Sequence, residues 1–302
     1  MSSAIKKLKT MIIINPISGG SQKHDLRVMV SKYLDREQFE VEIVTTAYAG
    51  HACALARGAS AKGYHMVVAA GGDGLINEIA SGLIYSDTIM GIIPTGSGNG
   101  LARHLGIPLN PVKAIRILNR FNTVMIDTCS INDEKIFCNM AGVGFDARVA
   151  EKFSKSAKRG LTSYVKIIVK EFIRFPSHEY TLNINGNSIR SKAILISFAN
   201  SRQFGNNAKI APLASVNDGL MDVCIMKDFP RYKAPYIGLM LLTGGLHKTA
   251  VMKYFKTADV RITLPENAAC HTDGDPYNPG KVLSIKTNRH SLRIVIPENI
   301  TI

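Results

Sequence analysis

GGDGLINEIASGL, residues 71–83, follows directly on the apolar run His65-Met-Val-Val-Ala-Ala70. The run reads as a buried strand, and Leu75 to Leu83 carries apolar residues at helical spacing. A turn between them needs only one or two residues tolerant of positive φ, whereas three glycines admit a second backbone or a ligand at close range. Asp73 then needs an explanation of its own. Exposed N–H groups where a helix begins, beside a carboxylate, suit phosphate or magnesium. The plain alternative is that Asp73 caps the helix.

Outward from this stretch, residues up to 128 alternate between two textures. Met11 to Ile14, Glu40 to Val44, His65 to Ala70 and Thr88 to Ile93 are short, β-branched and strand-like; Ser21 to Leu34, Gly50 to Lys62 and Leu75 to Leu83 are helical in spacing. Continuous apolar strands alternating with helices predict a parallel sheet covered on both faces, which binds ligands beyond the carboxyl ends of its strands. The unusual loops fall at that edge: NPISGG after the first strand, TTAYAG after the second, GGDG after the third, PTGSGNG after the fourth. In the last of these, amides and the hydroxyls of Thr95 and Ser97 are placed to cradle an anion. Its spacing is neither the dinucleotide fingerprint nor a Walker A loop. Arg103 and His104 follow it, positioned either to reach phosphate or to face solvent.

Beyond Asp127 the texture changes. Ile131 to Ala141, Tyr180 to Ile189 with a hairpin signal at Asn185-Gly186, Ala193 to Ala199, Leu220 to Met226, Val260 to Leu264, Val282 to Lys286 and Leu292 to Ile296 read as strands, and predict an antiparallel sandwich or barrel. Leu161 to Phe175 and a basic, apolar stretch from Tyr232 to Phe255 read as helical insertions. The fold class is therefore α/β plus all-β. Residues 8–128 form the first domain, to which 291–302 is expected to return, and 129–290 form the second.

A net charge of +14 favours an anionic partner: nucleic acid, a phosphorylated ligand or an anionic membrane face. The basic residues Lys152, Lys155, Lys158, Arg159, Lys166, Lys170 and Arg174 read either as a solvated helix face or as contacts to lipid headgroups. Five cysteines without a CxxC pair indicate neither a zinc cluster nor a disulfide framework, and a reduced cytosol is the expected compartment. The apolar stretch near the N-terminus ends at Asn15-Pro16, too short for a signal-peptide core. No run reaches the roughly 18 apolar residues of a membrane span, so membrane contact is expected to be peripheral, at the inner face.

NPISG, GGDGLINE and PTGSGNGLAR, in this order and spacing, resemble the catalytic domain shared by diacylglycerol kinases, sphingosine kinases and bacterial lipid kinases. GVGFDA (142–147), NDGLMDV (217–223) and HTDGD (271–275) continue the resemblance over nearly the whole chain. It implies a first domain resembling that of NAD kinase, a β-sandwich second domain, and ATP with Mg2+ bound in the cleft between them. Family contacts to ATP carry over to Asn15, Pro16, Ser18, Gly19, Thr45, Gly71, Gly72, Asp73, Gly74, Asn77, Thr95, Gly96, Ser97, Gly98 and Asn99. A structural magnesium carries over to Asp218 and the carbonyls of Ser215 and Leu220. The general base carries over to Asp275, with Asp73 as the fallback, because Asp275 stands where the family has Glu and reaches one methylene less far. Leu75 likewise replaces the usual threonine. On this reading Arg103 meets phosphate, and Asp146 pairs with a sphingoid-base ammonium or else caps a turn.

The expected activity is transfer of the γ-phosphoryl of ATP to the hydroxyl of a membrane lipid, diacylglycerol or a sphingoid base. Two competitors are an NAD or other small-molecule kinase with a related first domain and an idle nucleotide- or nucleic-acid-binding module. Against the module, no basic and aromatic RNA-binding signature is visible and Trp is absent. A homodimer stays open.

Overall fold

The computed structural model describes residues 7–16, 23–156, 161–265, 268–278, 280–298 and 300. The chain forms two compact units, residues 1–126 with 290–302, and 127–289.

In the first unit β1 (Leu8–Ile14), β2 (Phe39–Thr45), β3 (Met66–Gly71) and β4 (Ile89–Pro94) make a parallel sheet in the order β2-β1-β3-β4. The register pairs Ile14 with Thr45 and with Ala70, and Gly71 with Pro94, so all four carboxyl ends lie on one edge. Every residue of β3 is buried, as a strand covered on both faces requires. Helices α1 (Lys23–Tyr33), α2 (His51–Ala61), α3 (Asp73–Leu83), α4 (Gly100–His104) and α5 (Pro111–Arg120) connect or flank the strands. Small residues bring α2 and α3 close: Ala52, Ala56 and Ala59 are buried, and a Cβ on Gly82 would stand 2.6 Å from the carbonyl oxygen of Cys53. α4 is the helix expected after the PTGSGNG loop, whereas α5 does not figure among the predicted helices. α5 has a readable start, since Asn110 caps it by accepting from Lys113 N at 3.1 Å and Pro111 takes its first turn.

In the second unit β5 (Thr123–Ile131, arriving from the first), β6 (Lys135–Phe137), β7 (Met140–Gly144), α6 (Phe145–Ser154), α7 (Leu161–Arg174), β8 (His178–Ile184), β9 (Asn187–Ala193), β10 (Leu195–Ala199), β11 (Met221–Met226), α8 (Ala234–Thr243), β12 (Met252–Thr257), β13 (Asp259–Thr263), β14 (Cys270–Thr272), β15 (Asp275–Tyr277) and β16 (Val282–Val295) follow in turn. One antiparallel sheet runs β12-β11-β10-β7-β14-β15, and β16, β13, β8 and β9 pair in a second. Phe137, Tyr180, Phe198, Val223 and Ile285 fill the core of this unit. β8 and β9 form the expected hairpin, with Asn185 and Gly186 both at positive φ.

Four predicted elements differ. Ile131 to Ala141 is not one strand: Asn132 and Asp133 both take positive φ and turn the chain between β5 and β6. The stretch from Tyr232 to Phe255 is helical only to Lys248, and Met252 to Phe255 belong to β12 because they complete the register beside β11. Val282 to Lys286 and Leu292 to Ile296 are the two ends of a single strand, β16, which pairs with β13 through its first residues and with β4 at Ile294.

Candidate functional site

The glycines of GGDG and PTGSGNG make room for each other. A Cβ on Gly96 would lie 2.5 Å from Gly72 Cα, and one on Gly72 would lie 3.3 Å from Gly96 Cα, so the two loops touch backbone on backbone. Asp73 clamps them. Its Oδ2 accepts from Asn99 N and its Oδ1 from Gly100 N, both at 2.8 Å. The acid thus serves the start of α4, and α3 begins after Gly72 without a side-chain cap. A Cβ on Gly98 would stand 2.7 Å from Asp73 Oδ2. Asn99, buried and left-handed at φ 52°, donates its Nδ2 to Gly96 O at 2.7 Å. Its buried Oδ1 has no hydrogen-bond partner among the described residues. Arg103 Nε donates to Gly98 O at 3.0 Å, and His104 is buried on the next position of α4. Ser97 stands exposed at the tip and Thr95 and Gly98 are half-buried.

The other first-unit residues lie at the same strand edge. Asn15 and Pro16 follow β1, and Thr45 ends β2, its hydroxyl accepting from Arg27 Nη2 at 3.3 Å. Gly74 and Asn77 lie in the first turns of α3, which follows β3. Ser18 and Gly19 lie outside the described residues, as do Lys158 and Arg159.

In the second unit the HTDGD segment spans the β14–β15 hairpin, and its acids divide sharply. Asp273 is an internal bolt: Oδ1 accepts from Asn139 N at 2.9 Å and Met140 N at 2.8 Å, and Oδ2 from Cys138 N at 2.9 Å. His271 is buried, taking Gly274 N on Nδ1 at 3.3 Å, which leaves Nε2 to donate to Asp146 Oδ2, also at 3.3 Å. These two are not the solvated turn residues that HxDxD usually supplies. Asp275 is exposed at the start of β15. Asp146, in the first turn of α6, holds Ala147 N on Oδ1 at 2.9 Å and receives Ser197 Oγ on Oδ2 at 3.1 Å. Ser197 carries no motif and is visible only once β10 is paired beside β7.

Asp218 is ion-paired with a lysine. Lys256 Nζ lies 2.7 Å from Asp218 Oδ2, while Asp218 Oδ1 accepts from Leu220 N at 3.0 Å and Ser215 Oγ donates to Asn217 Oδ1 at 2.7 Å. The same ammonium lies 3.9 Å from Asp222 Oδ1, across the β11–β12 register. Asp222 is almost fully buried, and burial pushes its carboxyl up to about 6 against the opposing pull of Lys256. Among the described residues no group of three or more His, Cys, Asp or Glu is arranged to hold a metal ion. The carried-over magnesium set uses one carboxylate and two backbone carbonyls, and its carboxylate, Asp218, is paired here with Lys256. Lys256 carried no sequence signal, because its role depends on strand register.

No described helix is long and apolar enough to cross a membrane. Comparison with known proteins matches residues 9–131 to the diacylglycerol kinase catalytic domain and residues 139–298 to the YegS C-terminal NAD kinase beta sandwich-like domain. A "Probable lipid kinase YegS-like" protein of Serratia proteamaculans (strain 568) is 30% identical over 300 residues, covering 96% of this chain and 94% of its own. A "Diacylglycerol kinase" of Bacillus subtilis (strain 168) is 28% identical over 305 residues, covering 96% and 97%. In fold, a crystal structure of a diacylglycerol kinase from Bacillus anthracis str. Sterne agrees with a TM-score of 0.74 at 17% identity, over 98% of this chain and all of that one. With both halves matched in order, and the paired glycine loops and the acid-bearing hairpin lying inside the matched segments, the chain belongs to the diacylglycerol kinase catalytic-domain family, as a lipid kinase of the YegS-like type.

Proposed function

We propose that this chain phosphorylates diacylglycerol, moving the γ-phosphoryl of ATP to a neutral lipid hydroxyl. The observation that carries the reading is the Asp73 clamp, which fixes the glycine loop after β4 against the one after β3. Phosphoryl transfer asks a protein mainly for positioning and charge neutralisation. A loop held by a carboxylate presents its amides without further ordering when phosphate arrives. We assign the phosphates to the amides of Gly96, Ser97 and Gly98 and the hydroxyls of Thr95 and Ser97, with Asn15, Thr45, Asn77 and Asn99 completing the ATP contacts. When bound with ATP, magnesium would supply charge neutralisation on the phosphates; Asp218 is paired with Lys256.

Both oxygens of Asp73 accept backbone N–H groups, so we treat it as a positioning residue and assign proton removal from the lipid hydroxyl to Asp275. The Asp273 bonds and the His271 bridge hold the hairpin that presents Asp275. Arg103 steadies the loop through Gly98 O. The choice of a neutral lipid rests on Asp146. Its carboxylate is buried and meets three donors, leaving no open acid at that position for a sphingoid ammonium.

The test is a parallel assay of labelled ATP with diacylglycerol, ceramide and sphinganine in mixed micelles, and with NAD. Label is expected in phosphatidic acid at least roughly a hundredfold faster than in the others, the scale on which a mismatched polar group is rejected. Label in sphinganine 1-phosphate would overturn the lipid assignment, and label in NADP alone would overturn lipid phosphorylation.

A further inference from the structure

α7 carries two parallel ridges on its outer face. Val165, Val169 and Ile173 are spaced four residues apart and are 47%, 57% and 66% exposed, and Lys166, Lys170 and Arg174, each one residue on, are exposed beside them. The helix has a single acid, Glu171, which is turned to Arg148 at 3.2 Å. A helix face meant for water does not hold three β-branched apolar side chains outward in a line.

α8 repeats the pattern with a different composition. From Ala234 to Thr243 it has no charged residue, yet only Ile237 is buried. Tyr232, Tyr236, Leu239 and Leu242 face outward, all more than half exposed. The two helices are tied at their junction, where Arg231 Nη2 donates to Phe175 O at 2.7 Å and its guanidinium lies 4.7 Å from the Phe172 ring centre. Phe172 in turn packs on Phe145 and Phe229. Both ridges therefore belong to one packed part of the second unit.

We infer that the outer faces of α7 and α8 dock this protein on an anionic bilayer, with Val169, Ile173, Tyr236 and Leu239 entering the headgroup region and Lys166, Lys170 and Arg174 meeting lipid phosphates. Interfacial helices combine an apolar ridge with flanking Lys and Arg, and tyrosine favours the depth where hydrocarbon gives way to water. Neither face offers an exposed acid, so the charge complement is an anionic surface. A second copy of the chain fits worse, because a symmetric contact through α7 would set its cation ridge against itself. The inference deepens the lipid-kinase reading by naming the surface that brings the enzyme to its substrate, and in that sense rests on it.

The experiment floats the full chain on vesicles of phosphatidylcholine with about a third phosphatidylglycerol, and on phosphatidylcholine alone. Wild type is expected to bind the mixed vesicles and to be released by salt. Val169→Glu and Leu239→Asp are expected to weaken binding by roughly tenfold or more. Lys166→Ser and Lys170→Ser should each weaken it about fivefold. Turnover of a short-chain, water-soluble diacylglycerol should stay at the wild-type rate in all four, which also shows that they are folded. Equal binding by wild type and the two acidic variants would overturn the inference. So would a wild type that stays in solution, or a dimer in solution that Val169→Glu splits. Vesicle binding that depends on these residues in a protein that phosphorylates no lipid would sink the kinase reading and leave the docking surface standing.

Discussion

Gly96→Ala puts the contact between the two glycine loops under direct strain. The new Cβ would lie 2.5 Å from Gly72 Cα and 2.9 Å from Asn99 Oδ1. Ordinary contact begins near 3.4 Å, and the nearer obstacle is backbone that cannot rotate away, so one loop must retreat by about 1 Å. A displacement of that size in catalytic machinery costs about a hundredfold in rate, and overpacking costs about 1–3 kcal/mol in stability. Steady-state kinetics with labelled ATP and diacylglycerol micelles, beside urea unfolding, separates the two effects. Gly82→Ala is the control: its Cβ would meet Cys53 O at 2.6 Å between α2 and α3, giving a comparable loss of stability with kcat/KM unchanged in the folded protein. Gly58→Ala, with nothing within 4 Å inside α2, should be more stable than wild type by roughly 0.5–1 kcal/mol. Wild-type kcat/KM in Gly96→Ala, or an equal fall in Gly82→Ala, would refute the claim that the paired glycines position the phosphate loop.

The two hairpin acids should separate cleanly. Asp273→Ala removes the acceptor of three backbone N–H groups and should cost on the order of 3 kcal/mol by urea unfolding, while Asp275→Ala, at an exposed position, should unfold within about 0.5 kcal/mol of wild type and lose lipid phosphorylation. Asp222 gives a pH signature. Its folded carboxyl is raised to about 6 from 3.8, so the contribution it makes is whole below pH 4 and is lost as pH rises through about 6. Wild type should therefore lose on the order of 2–3 kcal/mol relative to Asp222→Asn between pH 4 and 7, and a flat difference would contradict the burial of that charge. Cys129, Cys138, Cys224 and Cys270 are buried with their thiols pushed up by burial, Cys270 to about 12, whereas Cys53 is half-buried. A thiol reagent should modify one cysteine in the native protein and five after unfolding.

Much of the first unit is legible in the chain because its strands are buried on both faces and punctuated by glycine. The parallel register then sets the carboxyl ends of all four strands, where the predicted loops begin, at one edge, which periodicity and turn chemistry together imply. The glycines of GGDG admit close approach, and what approaches Gly72 is Gly96. No local signal tells a neighbouring loop from a ligand. Asp73 likewise caps a helix, though α4 and not the one it begins, a partner 26 residues away in sequence. In the second unit the fully buried β10 and β11 are legible as apolar runs, while the three-residue β6, β14 and β15 are too short to show a period. The Asn132-Asp133 turn, written in two residues that tolerate positive φ, is masked by the apolar stretch around it. α6 begins at Phe145 after a positive-φ Gly144 whose Cβ would meet Ile194 O at 2.4 Å, a contact only the folded sheet supplies. Lys256 comes opposite Asp222 through strand pairing, and Ser197 of β10 comes beside Asp146 of α6 only in the folded unit.

The most direct test of the central claim is the rate at which Asp73→Asn moves label from γ-labelled ATP to diacylglycerol. Replacing one oxygen by an NH2 sets a donor against Asn99 N or Gly100 N, the loop loses its clamp, and turnover should fall at least about a hundredfold while the protein stays folded. Transfer at the wild-type rate would show that the carboxylate does not organise the phosphate grip.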